Sequence, residues 1–134
     1  MSWWLGFGAA VLALALLLYW LIIVGEGTYL GRGVVRFIYQ RGASFYDDVR
    51  QPVVASDAAT LVPLLQNALA GIAAPRVLDV ATGTGRVPLL LGKEPWFGGT
   101  VCGIDIAPAM LERARAKIAA AGVSGRVELR LGEA

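Results

Sequence analysis

The sequence predicts an α/β domain built on a parallel sheet and carried behind a single transmembrane helix. Three observations predict it. Residues 3–24 contain no Asp, Glu, Lys or Arg. Two later apolar runs, residues 76–80 and 100–106, carry carboxylates near their ends (Asp79 and Asp105) and then break into small residues, as buried strands do. Helical patterns separate and follow these runs, and the order strand, helix, strand, helix, strand calls for parallel strands joined by right-handed crossovers.

The N-terminal run accounts for the high apolar content, 57% of the chain at a mean hydropathy of +0.63. As a helix it reaches roughly 33 Å, against a hydrocarbon core of about 30 Å. Trp3 and Trp4 near one end and Tyr19 and Trp20 near the other put amphipathic rings at headgroup depth. A cleaved signal peptide would begin with basic residues, and Met1-Ser2 supplies none. Arg32, Arg36 and Arg41 follow the span while no basic residue precedes it, which predicts a single-pass membrane protein with its C-terminal side cytoplasmic. The expected organisation is an anchor over residues 1–25, a juxtamembrane segment and linker over 26–55, and the α/β domain over 56–134.

Composition removes several function classes. The 12 basic and 10 acidic residues are scattered rather than patched, so a nucleic-acid partner is not expected. Cys102 is the only cysteine and histidine is absent. That leaves no disulfide framework, no Cys/His metal site, and no Ser/His or Cys/His nucleophile. Cys102 itself reads as a small apolar filler in a buried strand.

In chain order, residues 30–40 fit a short amphipathic helix along the membrane surface, weakened by Gly31 and Gly33. Residues 41–51 read as a polar linker that breaks at Pro52. A helix over 56–70 is expected, with Thr60 as N-cap so that Pro63 falls in the first turn. Leu61, Leu64, Leu65 and Leu69 line its face, and Gly71 stops it. After the strand at 76–80 comes a turn over 81–85 and a short helix over 86–91, where Pro88 is tolerated in the first turn. Residues 92–99 are a loop carrying Trp96 and Phe97. The second strand, 100–106, precedes an alanine-rich helix over 109–121 whose face is Met110, Leu111, Ala114, Ile118 and Ala121, with Gly122 as its stop. The alternation of Val127, Leu129 and Leu131 with Arg126, Glu128 and Arg130 gives a third strand near a sheet edge.

Asp79 and Asp105 therefore stand at the carboxyl ends of neighbouring strands, beside the glycine turn Thr82-Gly83-Thr84-Gly85, at the edge where open α/β sheets bind ligands. A carboxylate at Asp105 suits vicinal ribose hydroxyls, and a glycine turn opening a helix offers N–H groups to an anionic group. A dinucleotide fingerprint needs a third glycine where this chain has Pro88. Asp79 would repel a pyrophosphate, whereas it suits a ligand carrying an ammonium and a carboxylate at one end.

At these residues the chain resembles a known family. Leu78-Asp79-Val80-Ala81-Thr82-Gly83-Thr84-Gly85 resembles the first motif of class I S-adenosylmethionine-dependent methyltransferases, particularly the small-molecule enzymes of the ubiquinone/menaquinone-biosynthesis type. Gly103-Ile104-Asp105-Ile106-Ala107-Pro108-Ala109-Met110-Leu111 is similar to their second motif, and Gly132-Glu133-Ala134 to the short motif after the third strand. The resemblance implies the N-terminal half of a Rossmann-like sheet with S-adenosyl-L-methionine as cofactor. By the same resemblance Asp79, Ala81, Gly83, Thr84 and Gly85 would hold its methionine end and Asp105 its ribose. Ile106, Glu133 and Ala134 would lie at the adenine. Ala81 replaces the family's first glycine, and Glu133 stands where Asp is commoner. Tyr46-Asp47 occupies the place of a similar pair in relatives, as either a cap on the site or an ordinary surface turn.

The family's sheet has seven strands and this sequence supplies the first three, so a catalytic residue cannot be named. The expectation is a piece of a longer enzyme, or a chain whose missing strands come from a partner. The function expected is methyl transfer at the cytoplasmic membrane face to a small acceptor, a lipid-soluble one such as a quinone or a lipid headgroup. The alternative is a non-catalytic, membrane-anchored nucleoside-binding or interaction protein. A nucleotide-dependent oxidoreductase is disfavoured by Asp79 and Pro88.

Overall fold

The computed structural model describes residues 3–25 and 27–133, with backbone alone for 49–57. They fall into two compact units, Met1–Ile38 and Tyr39–Ala134. In the first, helix α1 (Trp3–Tyr19) runs into a π-helical turn, Trp20–Val24, and together they form a 22-residue apolar rod of a length and composition that can cross a membrane. The rod ends where the Gly25 N–H donates to the Trp20 carbonyl at 2.7 Å. The chain then turns at Gly27, whose φ of 71° is the left-handed conformation glycine allows. A Cβ there would lie 2.8 Å from Ile38 Cδ1.

Helix α2 (Arg32–Ala68) is one continuous element, and this corrects three expectations. The segment 41–51 is helical rather than a linker, Pro52 does not break the chain, and Thr60 lies inside the helix rather than at its N-cap. Tertiary packing overrides the local signals. Tyr39, Ala43 and Tyr46 close over Ala107, Ala109 and Met110, and that apolar cluster holds the polar stretch 41–47 as helix. Farther along, Leu65 and Leu69 pack into the main core as the leucine spacing predicts, while Leu64 points to solvent.

The second unit contains a parallel sheet of β1 (Arg76–Val80), β2 (Thr100–Asp105) and β3 (Val127–Leu131) in that spatial order. Asp79 pairs with Gly103 across β1 and β2, and Gly103 with Leu129 across β2 and β3. Helix α3 (Arg86–Lys93) and helix α4 (Pro108–Ala120) form the crossovers. One face of β2, made by Val101, Gly103 and Asp105, is buried beneath them. The core here is Leu91, Phe97 and Val101 with Val77, Val87 and Trp96 around it. Phe97, a loop residue in the sequence, is fully buried at its centre.

The other sheet face is uncovered by any described element. Leu78 is 61% and Val80 49% exposed, and Cys102 beside them is half-buried rather than enclosed. A parallel sheet ordinarily carries helices on both faces. Among the described residues β1 also has an edge without a strand neighbour.

Candidate functional site

The turn after β1 is built from three left-handed residues, Ala81 at φ 57°, Gly83 at 55° and Gly85 at 78°. Glycine adopts this conformation freely, and alanine does so at a cost of about 1–2 kcal/mol. The turn is held against β2 by the Thr82 N–H, which donates to the Ile104 carbonyl at 2.9 Å, and it closes on itself where the Gly85 N–H donates to the Thr82 carbonyl. Gly85 is required twice over: a Cβ would sit 2.9 Å from Ala114 Cβ on α4. Around Gly83 the space is open, with nothing within 4 Å of where a Cβ would be. The Gly103 backbone on β2 passes so close beneath that a Cβ there would meet Thr82 Oγ1 at 2.8 Å.

Two carboxylates flank this turn and are used differently. Thr82 Oγ1 donates to Asp79 Oδ2 at 2.6 Å. Burial pushes the Asp79 carboxyl above its ordinary pKa, outweighing the opposing pull of the Thr82 hydroxyl and the Arg86 guanidinium, and the nearby Asp105 adds to the rise. Asp105 is the buried clasp of the turn: its Oδ2 accepts the Gly83 N–H and its Oδ1 the Ala107 N–H, both at 2.8 Å. Each oxygen keeps a further lone pair. The Asp105 carbonyl also accepts the Gly132 N–H at 3.0 Å, which ties the chain after β3 to the end of β2.

A cavity of ≈ 460 Å³ opens above the end of β1, lined by Asp79, Ala81, Thr82, Gly83 and Thr84. Tyr46 and Asp47 of α2, Arg86 and Lys93 of α3, and Lys117 of α4 complete its polar wall. Ala58, Leu61, Val80, Val87, Leu89 and Leu90 form an apolar side. Of the residues singled out in the sequence, the structure thus gathers Asp79, Ala81, Gly83 and Thr84 at one cavity. Gly85 packs behind the turn, and Asp105 reaches it through Gly83. Ile106 is half-buried beyond Asp105, Glu133 is exposed past the end of β3, and Ala134 lies outside the described residues.

Lys117 is the residue that sequence reasoning missed. Its Nζ donates to Asp47 Oδ1 at 2.9 Å and to Thr84 Oγ1 at 2.8 Å, and Thr84 Oγ1 donates to the same Asp47 oxygen at 2.7 Å. Burial raises the Asp47 pKa, but the Thr84 and Lys117 hydrogen bonds and the charges of Lys117 and Arg113 outweigh it, leaving the carboxyl below its usual range. The Tyr46-Asp47 pair is therefore no loose surface turn, because Asp47 is bound to the glycine turn itself.

Residues 77–134 match the model of a methyltransferase domain family. The ubiquinone/menaquinone biosynthesis C-methyltransferase UbiE of Geobacter sp. (strain M21) is 45% identical over 56 residues, 42% of this chain and 24% of that protein. The demethylmenaquinone methyltransferase of Thermus thermophilus is 51% identical over 51 residues, 38% of this chain and 23% of that one. The chain thus spans about a quarter of the length of these curated relatives. The crystal structure of a candidate S-adenosyl-L-methionine-dependent methyltransferase from Methanococcus maripaludis superposes with a TM-score of 0.61 over 70% of this chain and 42% of that chain, at 23% identity, a likeness of fold. Residues 77–134 thus match a methyltransferase domain, carried on a parallel-sheet fold shared with that structure.

Proposed function

We propose that the cavity above β1 holds S-adenosyl-L-methionine for methyl transfer to a small, lipid-soluble acceptor at the cytoplasmic face of a membrane. The observation that carries the reading is Asp79. A half-buried carboxylate whose burial disfavours its charge is a standing cost unless a cation on the ligand comes to it. An ammonium group on the ligand supplies that cation, and the space beside Gly83, open where a Cβ would stand, lets the ligand's carboxylate approach the turn. In this reading the remaining lone pairs of Asp105 hold ribose hydroxyls, and Ile106 and Glu133 lie toward the base. The cofactor supplies an activated methyl group, and the protein's share is positioning and exclusion of water.

The acceptor class rests on the quinone-methylating relatives and on the apolar rod Trp3–Val24. In this reading residues 1–25 anchor the chain and 26–55 join the anchor to the cofactor-binding part 56–134, with Tyr46 and Asp47 of the joining segment in the cavity wall. The uncovered sheet face, with Leu78 61% exposed, supports a further element of the working enzyme against β1, contributed by the same polypeptide or a partner. Against a dinucleotide, Pro88 is fully buried in the first turn of α3, where a third glycine would be needed.

Isothermal titration of the full chain in detergent micelles tests the cofactor half. Binding of S-adenosylmethionine and S-adenosylhomocysteine is expected, and a folded preparation giving no heat with either sinks the reading. Incubation of membranes holding the full chain with labelled cofactor and demethylmenaquinone tests the acceptor half, where label in the quinone fraction is expected.

A further inference from the structure

We infer that Asp47 is a positioning residue for the glycine turn, acting through Thr84 and Lys117 to fix the turn in its ligand-accepting shape. The inference rests on the cofactor reading above and adds to it a residue of α2, some 37 positions before the turn. Thr84 is the only residue between Gly83 and Gly85, both of them left-handed, so the hydrogen bonds of its side chain act on the middle of the turn. It is buried, and its hydroxyl donates to Asp47 and accepts from Lys117. The three groups form a closed ring of charge-assisted bonds, all between 2.7 and 2.9 Å, which belong to the strong class.

The ring is the last member of a series along the α2–α4 seam. Gln40 Oε1 accepts the Ala109 N–H at 3.2 Å, and Arg113 Nη2 donates to the Ser44 carbonyl at 2.9 Å. Arg113 Nη1 then lies 3.7 Å from Asp47 Oδ2. Gln40, Ser44 and Asp47 sit three or four apart, on one face of α2, opposite Ala109, Arg113 and Lys117 at four-residue steps on α4. Of these side chains only Asp47 and Lys117 also reach the turn. Docking of α2 and positioning of the turn can thus be separated by experiment.

The test uses the full chain in detergent micelles, with S-adenosylhomocysteine as the titrant and with the Gly83 and Gly85 amide resonances read in the ligand-free state. Asp47→Asn is expected to weaken binding roughly tenfold, about 1.4 kcal/mol, and to shift both glycine amides. Gln40→Ala breaks a seam contact remote from the turn and is expected to change neither. Thr84→Val should weaken binding similarly, and the double variant Asp47→Asn/Thr84→Val no further than either alone, since both remove the same ring. Unchanged affinity in Asp47→Asn, or an equal loss in Gln40→Ala, overturns the inference while leaving the cofactor reading standing. If the unaltered chain binds no S-adenosylhomocysteine, the cofactor reading fails and the amides alone decide. Shifts in Asp47→Asn and not in Gln40→Ala then uphold the restraint on the turn, and equal shifts in both overturn it.

Discussion

Ala81 holds φ 57° where a β-carbon is unfavourable, by about 1–2 kcal/mol. Ala81→Gly relieves that strain and gives back about 0.4–1 kcal/mol in unfolded-chain entropy. A net gain of up to about 1 kcal/mol is expected in the urea midpoint, and a clear loss would show that the strain is not there. Asp79 carries the second residue-level prediction. Its raised pKa means that the folded chain binds the proton more tightly than the unfolded one, so stability falls as pH rises from the ordinary carboxylate value through the raised one. Asp79→Asn should remove that slope and stabilise the ligand-free chain at pH 7, while weakening S-adenosylhomocysteine. Thermal melts between pH 3 and 7 with and without ligand read both. For Asp47 the sign is reversed: the carboxyl is held below its ordinary value, and its contribution is present above that value and lost as pH falls through the lowered one.

At the scale of elements, the strands, the glycine turn and α4 were legible because each carries its signal locally: apolar runs, paired glycines, an alanine-rich face. The continuity of α2 was not. Pro52, Pro63 and the polar stretch 41–51 argue locally for breaks, and the contacts that hold 41–47 as helix come from Ala107 and Met110, more than sixty residues away. Phe97 was hidden for the same reason, since nothing in 92–99 shows that a loop side chain will fill the space between Leu91 and Val101. Lys117 reads as one more solvated charge on a helix until the fold brings Asp47 to it. The contrast between covered and uncovered sheet faces predicts unequal costs. Leu91→Ala, in the packed core, should lose about 2–5 kcal/mol. Leu78→Thr, on the bare face, should lose under about 0.5 kcal/mol and reduce self-association in light scattering. Equal losses would mean that the bare face is covered in solution.

For the molecule as a whole, the proposed membrane anchor is the apolar rod Trp3–Val24. The full chain should stay in the pellet of alkaline-washed membranes. Leu14→Arg, which places a charge near the middle of the rod at a cost of about 2.5–3.5 kcal/mol, should move a large part of it to the supernatant. Retention that is indifferent to Leu14→Arg would assign membrane association to another surface.

The packing of Gly85 on Ala114 has a consequence for how this chain can vary. The turn and α4 touch with no space for one more methyl group, and Ala114 is wholly buried against it. In a saturation library at position 114, glycine, alanine and to a lesser degree serine should survive a folding screen while every larger side chain is depleted. A compensating pair can restore the space but not the backbone. Ala114→Gly makes room for Gly85→Ala, yet the left-handed φ of 78° still opposes a β-carbon at 85. The two positions therefore constrain each other in one direction only: 85 dictates what 114 can be, and no choice at 114 frees 85.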